Sequence, residues 1–92
     1  MKVSVLMPIY NTKEEYLRTA IESILNQTYK DYEFLIYDDA SNIDLQSIVM
    51  SYNDERIHTV KMKNFQEIST LDFITSIVMN LNIKEFVIKI IK

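Results

Sequence analysis

Four short apolar runs alternate along this chain with three stretches whose apolar residues recur at helical spacing. The runs are Val3–Ile9, Tyr32–Tyr37, Arg56–Met62 and Glu85–Ile91, each rich in β-branched or aromatic residues. The first stretch places Leu17, Ala20, Ile21, Ile24 and Leu25 on one face and turns Arg18, Glu22 and Ser23 outward, which predicts a helix over about 13–26. The second gives a short helix with Leu45, Ile48, Val49 and Tyr52 on its face. The third predicts a helix over 67–81 through Ile68, Leu71, Ile74, Ile77, Val78 and Leu81, although its β-branched residues weaken helical propensity and leave an extended segment as the competing expectation. Strand and helix in strict alternation imply crossover connections, and hence a parallel sheet with helices on both faces. The expected fold class is therefore α/β and Rossmann-like, β-α-β-α-β-α-β, with strand order 3-2-1-4.

The ends of these segments carry their own signals. Pro8 has no N–H to give a ladder, so the first strand should stop near it. Thr12-Lys-Glu-Glu15 has the pattern of a capping box ahead of the first helix, and Ser41-Asn-Ile-Asp44 offers a second cap. Asn53-Asp54-Glu55 reads as a turn and 64–66 as a loop. Glycine is absent, where average usage of about 7% would supply roughly six. Asparagine must then take the left-handed turn positions, and a phosphate-cradling glycine loop of either common type is excluded.

With 92 residues the chain is one small domain, or part of one. Its 48% hydrophobic and 25% charged residues are ordinary for a globular protein. The net charge of −3 argues against a nucleic-acid partner. The charge is uneven: five basic and ten acidic residues in 1–56, five and three in 57–92. An acidic front suits a cation better than a bare phosphate. No cysteine is present, so disulfides and thiolate chemistry are excluded. The apolar start breaks at Tyr10-Asn-Thr12 and does not form a signal peptide. No stretch has the roughly 18 apolar residues of a membrane span. A cytoplasmic location is expected.

In an open parallel sheet, ligands bind beyond the carboxyl ends of the strands. Two loops there carry unusual residues: Pro8-Ile-Tyr-Asn11 after the first strand and Asp38-Asp-Ala-Ser41 after the second. A tyrosine at a strand end offers a flat ring and a hydroxyl. A carboxylate can accept the imide N–H of a uracil-like base, and adjacent carboxylates can help to hold a divalent metal. The plainer reading is that both segments only end strands and cap helices, and the residues alone leave the two open. His58 has no acidic partner nearby in sequence and reads as structural or exposed. Tyr29 and Tyr32 read as packing at a helix-to-strand turn, the dispersed methionines as core filler, and Glu14, Glu15 and Glu22 as a solvated helix face.

Taken together, Val3-Ser-Val-Leu-Met-Pro-Ile-Tyr-Asn11, Ala20-Ile-Glu-Ser-Ile-Leu-Asn-Gln-Thr-Tyr29 and Asp31-Tyr-Glu-Phe-Leu-Ile-Tyr-Asp-Asp-Ala-Ser41 resemble the start of an inverting family 2 glycosyltransferase of the GT-A fold. The resemblance covers residues 2–58. It implies a nucleotide-diphosphate sugar donor, commonly uridine-linked, and a divalent metal, Mn or Mg. It also implies that Pro8 and Tyr10 line the nucleoside site, that Asp39 bonds the base imide, and that Asp38 supports that loop or the ribose side. The acidic pair is then a nucleotide contact and not a metal site. Beyond His58 the agreement thins: Asn64-Phe-Gln66 lacks the family's glycine, and the chain stops at Lys92, where the Asp-x-Asp metal motif is expected. No catalytic residue and no metal ligand is therefore assigned. The expectation is the nucleotide-sugar-binding front of a longer domain over 1–92, inactive alone. The alternative is a non-catalytic nucleotide-binding module acting with a partner chain. A receiver-type signalling domain ranks last, because its acidic pair follows the first strand. Self-association through the final strand is also expected, since Phe86, Val87, Ile88, Ile90 and Ile91 would lie on an open edge.

Overall fold

The structure is a computed structural model that describes residues 3–63, 70–83 and 85–89. The loop expected at 64–66, the start of the third helix and the end of the last strand lie outside the described residues. The element order is β1 (Val3–Ile9), α1 (Glu14–Leu25), β2 (Tyr32–Asp38), α2 (Gln46–Met50), β3 (Ile57–Lys61), α3 (Thr70–Leu81) and β4 (Phe86–Ile88). All strand pairs are parallel and the sheet order is β3-β2-β1-β4, the order expected. The Ile- and Val-rich segment 70–81 is helical.

Strict alternation along β1 and β2 divides the core between the two faces of the sheet. Val5, Met7 and Ile9 join Tyr32, Phe34 and Ile36 on one face, where Leu17, Ala20 and Ile21 of α1 and Val49 of α2 cover them. Leu6 and Leu35 lie on the other face, under Phe73, Ile74 and Ile77 of α3. Both central strands are thus buried on both sides, which is why they read as near-continuous apolar runs.

Asparagine does replace glycine at the turns. Among the described residues four have positive φ: Asn11, Ala40, Asn53 and Asn82. Asn82 closes α3: its N–H donates to the Met79 carbonyl and that of Ile83 to the Val78 carbonyl, the paired bonds of a Schellman end. Val78 and Ile83 both pack on the α3-side core, completing that motif. The end of α1 has no left-handed residue. Side chains satisfy its last carbonyls instead: the Tyr32 hydroxyl donates to Ile24 at 3.0 Å and Lys30 Nζ to Leu25 at 3.0 Å.

Two capping expectations need correction. The Thr12 box does not form, because the extended residue that precedes α1 is Lys13, and no side chain caps the helix there. At α2 the N-cap position falls on Leu45, and the carboxylate of Asp44 before it accepts the Ser47 N–H at 3.1 Å and its hydroxyl at 2.6 Å. Ser41 is engaged elsewhere, as described below.

Asp54 and Arg56 form a second fixed element ahead of β3. The Asp54 carboxylate accepts the Arg56 N–H at 2.9 Å, Nε at 3.0 Å and Nη2 at 2.8 Å. These bonds hold Asp54 well below the usual carboxylate range, at about 2. They also hold the guanidinium 4.7 Å from the ring centre of buried Tyr32. Tyr32 is thus a packing residue, as expected, whereas Tyr29 is half exposed. His58 is exposed on β3. No helix among the described residues is long and apolar enough to cross a membrane.

Candidate functional site

The β1–β2 register brings the two unusual loops together. Ile9 stands opposite Asp38, the last pair of the ladder, and the Asp39 N–H donates to the Ile9 carbonyl at 2.9 Å. Adjacent strands are about 4.8 Å apart, so Tyr10 and Asp39 leave the sheet side by side at its carboxyl edge. Pro8, Tyr10, Asp38 and Asp39 are therefore neighbours in space as well as in the motif.

Their environments differ. Pro8 is partly buried within β1, opposite Tyr37. Tyr10 is 45% exposed, a large apolar ring at the sheet edge. Asp39 lies at the margin of burial, with 9% of its surface accessible. Asp38 is fully buried. Its Oδ1 accepts the Ser41 N–H at 2.9 Å, which folds the chain back over the strand end. Its Oδ2 is buried with no hydrogen-bond partner among the described residues. A buried acceptor left unpaired costs about 1–3 kcal/mol, so this oxygen marks a place where a further donor would be stabilising.

Two hydrogen bonds that sequence reading did not foresee tie the loops to each other. The Asn11 N–H donates to Ser41 Oγ at 2.9 Å, and the Asn42 N–H donates to Asn11 Oδ1 at 2.7 Å. The available signal was an Asn two residues past a strand end in a chain without glycine.

Among the described residues no three His, Asp or Glu side chains stand together as ligands, and Asp38 Oδ1 is already committed to Ser41. The start of α1 opens on the same edge, but Glu14 and Glu15 in its first turn already take up the positive end of the helix dipole. A cleft of about 350 Å³ lined by Val49, Met50, Asn53, Asp54, Glu55 and Ile57 lies at the opposite, amino end of β3.

The family profile of Glycosyl transferase family 2 matches residues 4–71. An uncharacterized glycosyltransferase of Methanocaldococcus jannaschii is 41% identical over 63 residues, covering 67% of this chain and 22% of its own length. The GalNAc(5)-diNAcBac-PP-undecaprenol beta-1,3-glucosyltransferase of Campylobacter jejuni is 37% identical over 68 residues, 72% of this chain and 22% of that protein. The UDP-Glc:alpha-D-GlcNAc-diphosphoundecaprenol beta-1,3-glucosyltransferase WfaP of Escherichia coli is 41% identical over 59 residues, 64% of this chain and 23% of that protein. The chain spans about a fifth of the length of these curated relatives.

Proposed function

The chain belongs to glycosyl transferase family 2, and on that premise we propose that it binds the nucleoside end of a uridine-diphosphate sugar donor for inverting glycosyl transfer. The observation that carries this reading is the side-by-side exit of Tyr10 and Asp39 from the paired ends of β1 and β2. An exposed ring beside a carboxylate is suited to a base whose edge offers an N–H. Uracil has such an imide donor; adenine has none at the matching position. The UDP-linked donor in the name of the Escherichia coli relative supports the same choice.

In this reading Asp39 accepts the imide N–H, and Pro8 and Tyr10 line the nucleoside. Asp38 supports that loop through Oδ1. The donor diphosphate needs a cation as it leaves, and the acceptor hydroxyl needs a general base. We assign both to sequence outside these residues, with the chain as the front of a longer cytoplasmic domain. A second proposal concerns β4. Among the described residues it is paired on one side only, with β1, and Phe86, Val87 and Ile88 are 40%, 52% and 38% exposed. Such an edge favours self-association.

Titration of the labelled chain with uridine and adenosine diphosphates, followed by amide NMR, tests the donor reading. Weak binding of the uridine nucleotide, with little dependence on metal and with shifts centred on Tyr10 and Asp39, is expected. Equal affinity for both nucleotides would overturn it.

A further inference from the structure

Tyr10 and Asp39 share an arrangement: each is followed at once by a left-handed residue. Asn11 has φ of 47° and Ala40 of 60°. Each kink turns the chain sharply away from its strand, so the direction of the side chain before it depends on how firmly the kink is held. Neither kink is held by glycine-type turn chemistry, since the chain has none. They are held by one another. Asn11 donates its backbone N–H to Ser41 Oγ and accepts the Asn42 N–H at Oδ1. Ser41 is itself anchored through its N–H on buried Asp38. The result is a closed path from one loop to the other, running Asn11, Ser41, Asp38 and back along the ladder pair Ile9–Asp38.

We propose that Asn11 and Ser41 form a positioning clamp that sets Tyr10 and Asp39 relative to each other and thereby sets the base selectivity of the nucleotide site. This rests on the donor reading above. Neither residue has to touch the base. The carboxylate of Asp39 must come within hydrogen-bond distance of an imide N–H while the base lies along Tyr10, and displacement of one loop by about 1 Å would break that geometry. Ser41 is buried, and Asn11 and Asn42 are bonded across loops that are about thirty residues apart in sequence. The clamp can therefore form only in the folded sheet.

Asn11→Gly separates clamping from backbone strain, because glycine accepts the left-handed φ while lacking Oδ1. Asn11→Asp keeps an acceptor at the same place and is the rescue variant. Ser41→Ala removes the other bond. For each variant and the unaltered chain, affinities for uridine and cytidine diphosphates are measured by NMR titration, together with the thermal midpoint and amide exchange at positions 11 and 42. Cytidine is the informative competitor, since its N3 is an acceptor and faces the carboxylate unfavourably. The expected result for Asn11→Gly is a midpoint within about 3 °C of the unaltered chain. Its preference for uridine over cytidine should fall about tenfold, the effect of one lost positioning bond. Ser41→Ala should show a similar loss, with faster exchange of the Asn11 amide, and Asn11→Asp should keep most of the preference. Full preference in Asn11→Gly, or equal loss in Asn11→Asp, would overturn the clamp. Absence of any uridine preference in the unaltered chain would overturn the donor reading and the selectivity role with it. The exchange rates would then still show whether the two loops are tied.

Discussion

Replacing Ala40 by glycine should stabilise this protein. Ala40 sits between Asp39 and Ser41 with φ of 60°, where its Cβ crowds the following carbonyl at a cost of about 1–2 kcal/mol. The turn is enforced from both ends, by the Asp39 N–H on Ile9 and by the Ser41 N–H on Asp38 Oδ1, so the residue cannot relax out of that region. Glycine removes the crowding but adds about 0.4–1 kcal/mol of unfolded-state entropy to be lost. The balance favours Ala40→Gly by about 0.5–1 kcal/mol. For 92 residues, an unfolding entropy of about 2.1 cal/mol/K per residue makes this a rise of about 3–5 °C in Tm. Ala40→Asn should fall between alanine and glycine, and Ala40→Val should lower Tm, since a branched Cβ tolerates positive φ least. Thermal unfolding by circular dichroism at low protein concentration gives the series. A lower Tm for glycine, or a higher one for valine, would show that the turn after β2 is not left-handed and would remove the geometry on which the site rests.

Acid unfolding should report on Asp54. Its folded pKa, about 2, lies below the ordinary value of about 3.9, so its contribution is complete above about pH 4 and is lost as pH falls toward 2. Because the pair is partly solvent-exposed, that contribution is about 1 kcal/mol. Asp54→Asn should lower stability at neutral pH and flatten the loss between pH 4 and 2; an unchanged acid limb would contradict the bracket around Arg56. The exposed β4 edge predicts concentration-dependent association, and Ile88→Lys should reduce it. Sedimentation at several concentrations measures this, and a clean monomer at high concentration would mean that the edge is covered.

Element order, sheet order and the α1 face were legible in the sequence, because β1 and β2 are buried on two sides and α1 on one, and burial leaves its period in the residues; the α3 stripe was legible only in part, since Ile74 and Ile77 are buried while Leu71 and Leu81 are exposed and Phe73 takes a core place. The ends were less legible. Thr12-Lys-Glu-Glu15 has the letters of a capping box, yet Lys13 precedes α1 and no side chain caps it. Asp44 rather than Ser41 accepts a first-turn N–H of α2, that of Ser47. The site was legible as two motifs, since Pro8, Tyr10, Asp38 and Asp39 stand at strand ends where α/β ligands bind. What joins the motifs was not, because the Asn11–Ser41 and Asn42–Asn11 bonds depend on the β1–β2 register. A single Asn or Ser carries no mark of a partner thirty residues away.

The central claim is that Asp39 reads a uracil edge, and isothermal titration of uridine diphosphate into the unaltered chain and Asp39→Ala tests it most directly. A hydrogen bond to a charged acceptor contributes about 1.5–3 kcal/mol, so the alanine variant should bind about ten- to a hundredfold more weakly. Undiminished binding by a folded Asp39→Ala chain would contradict the account.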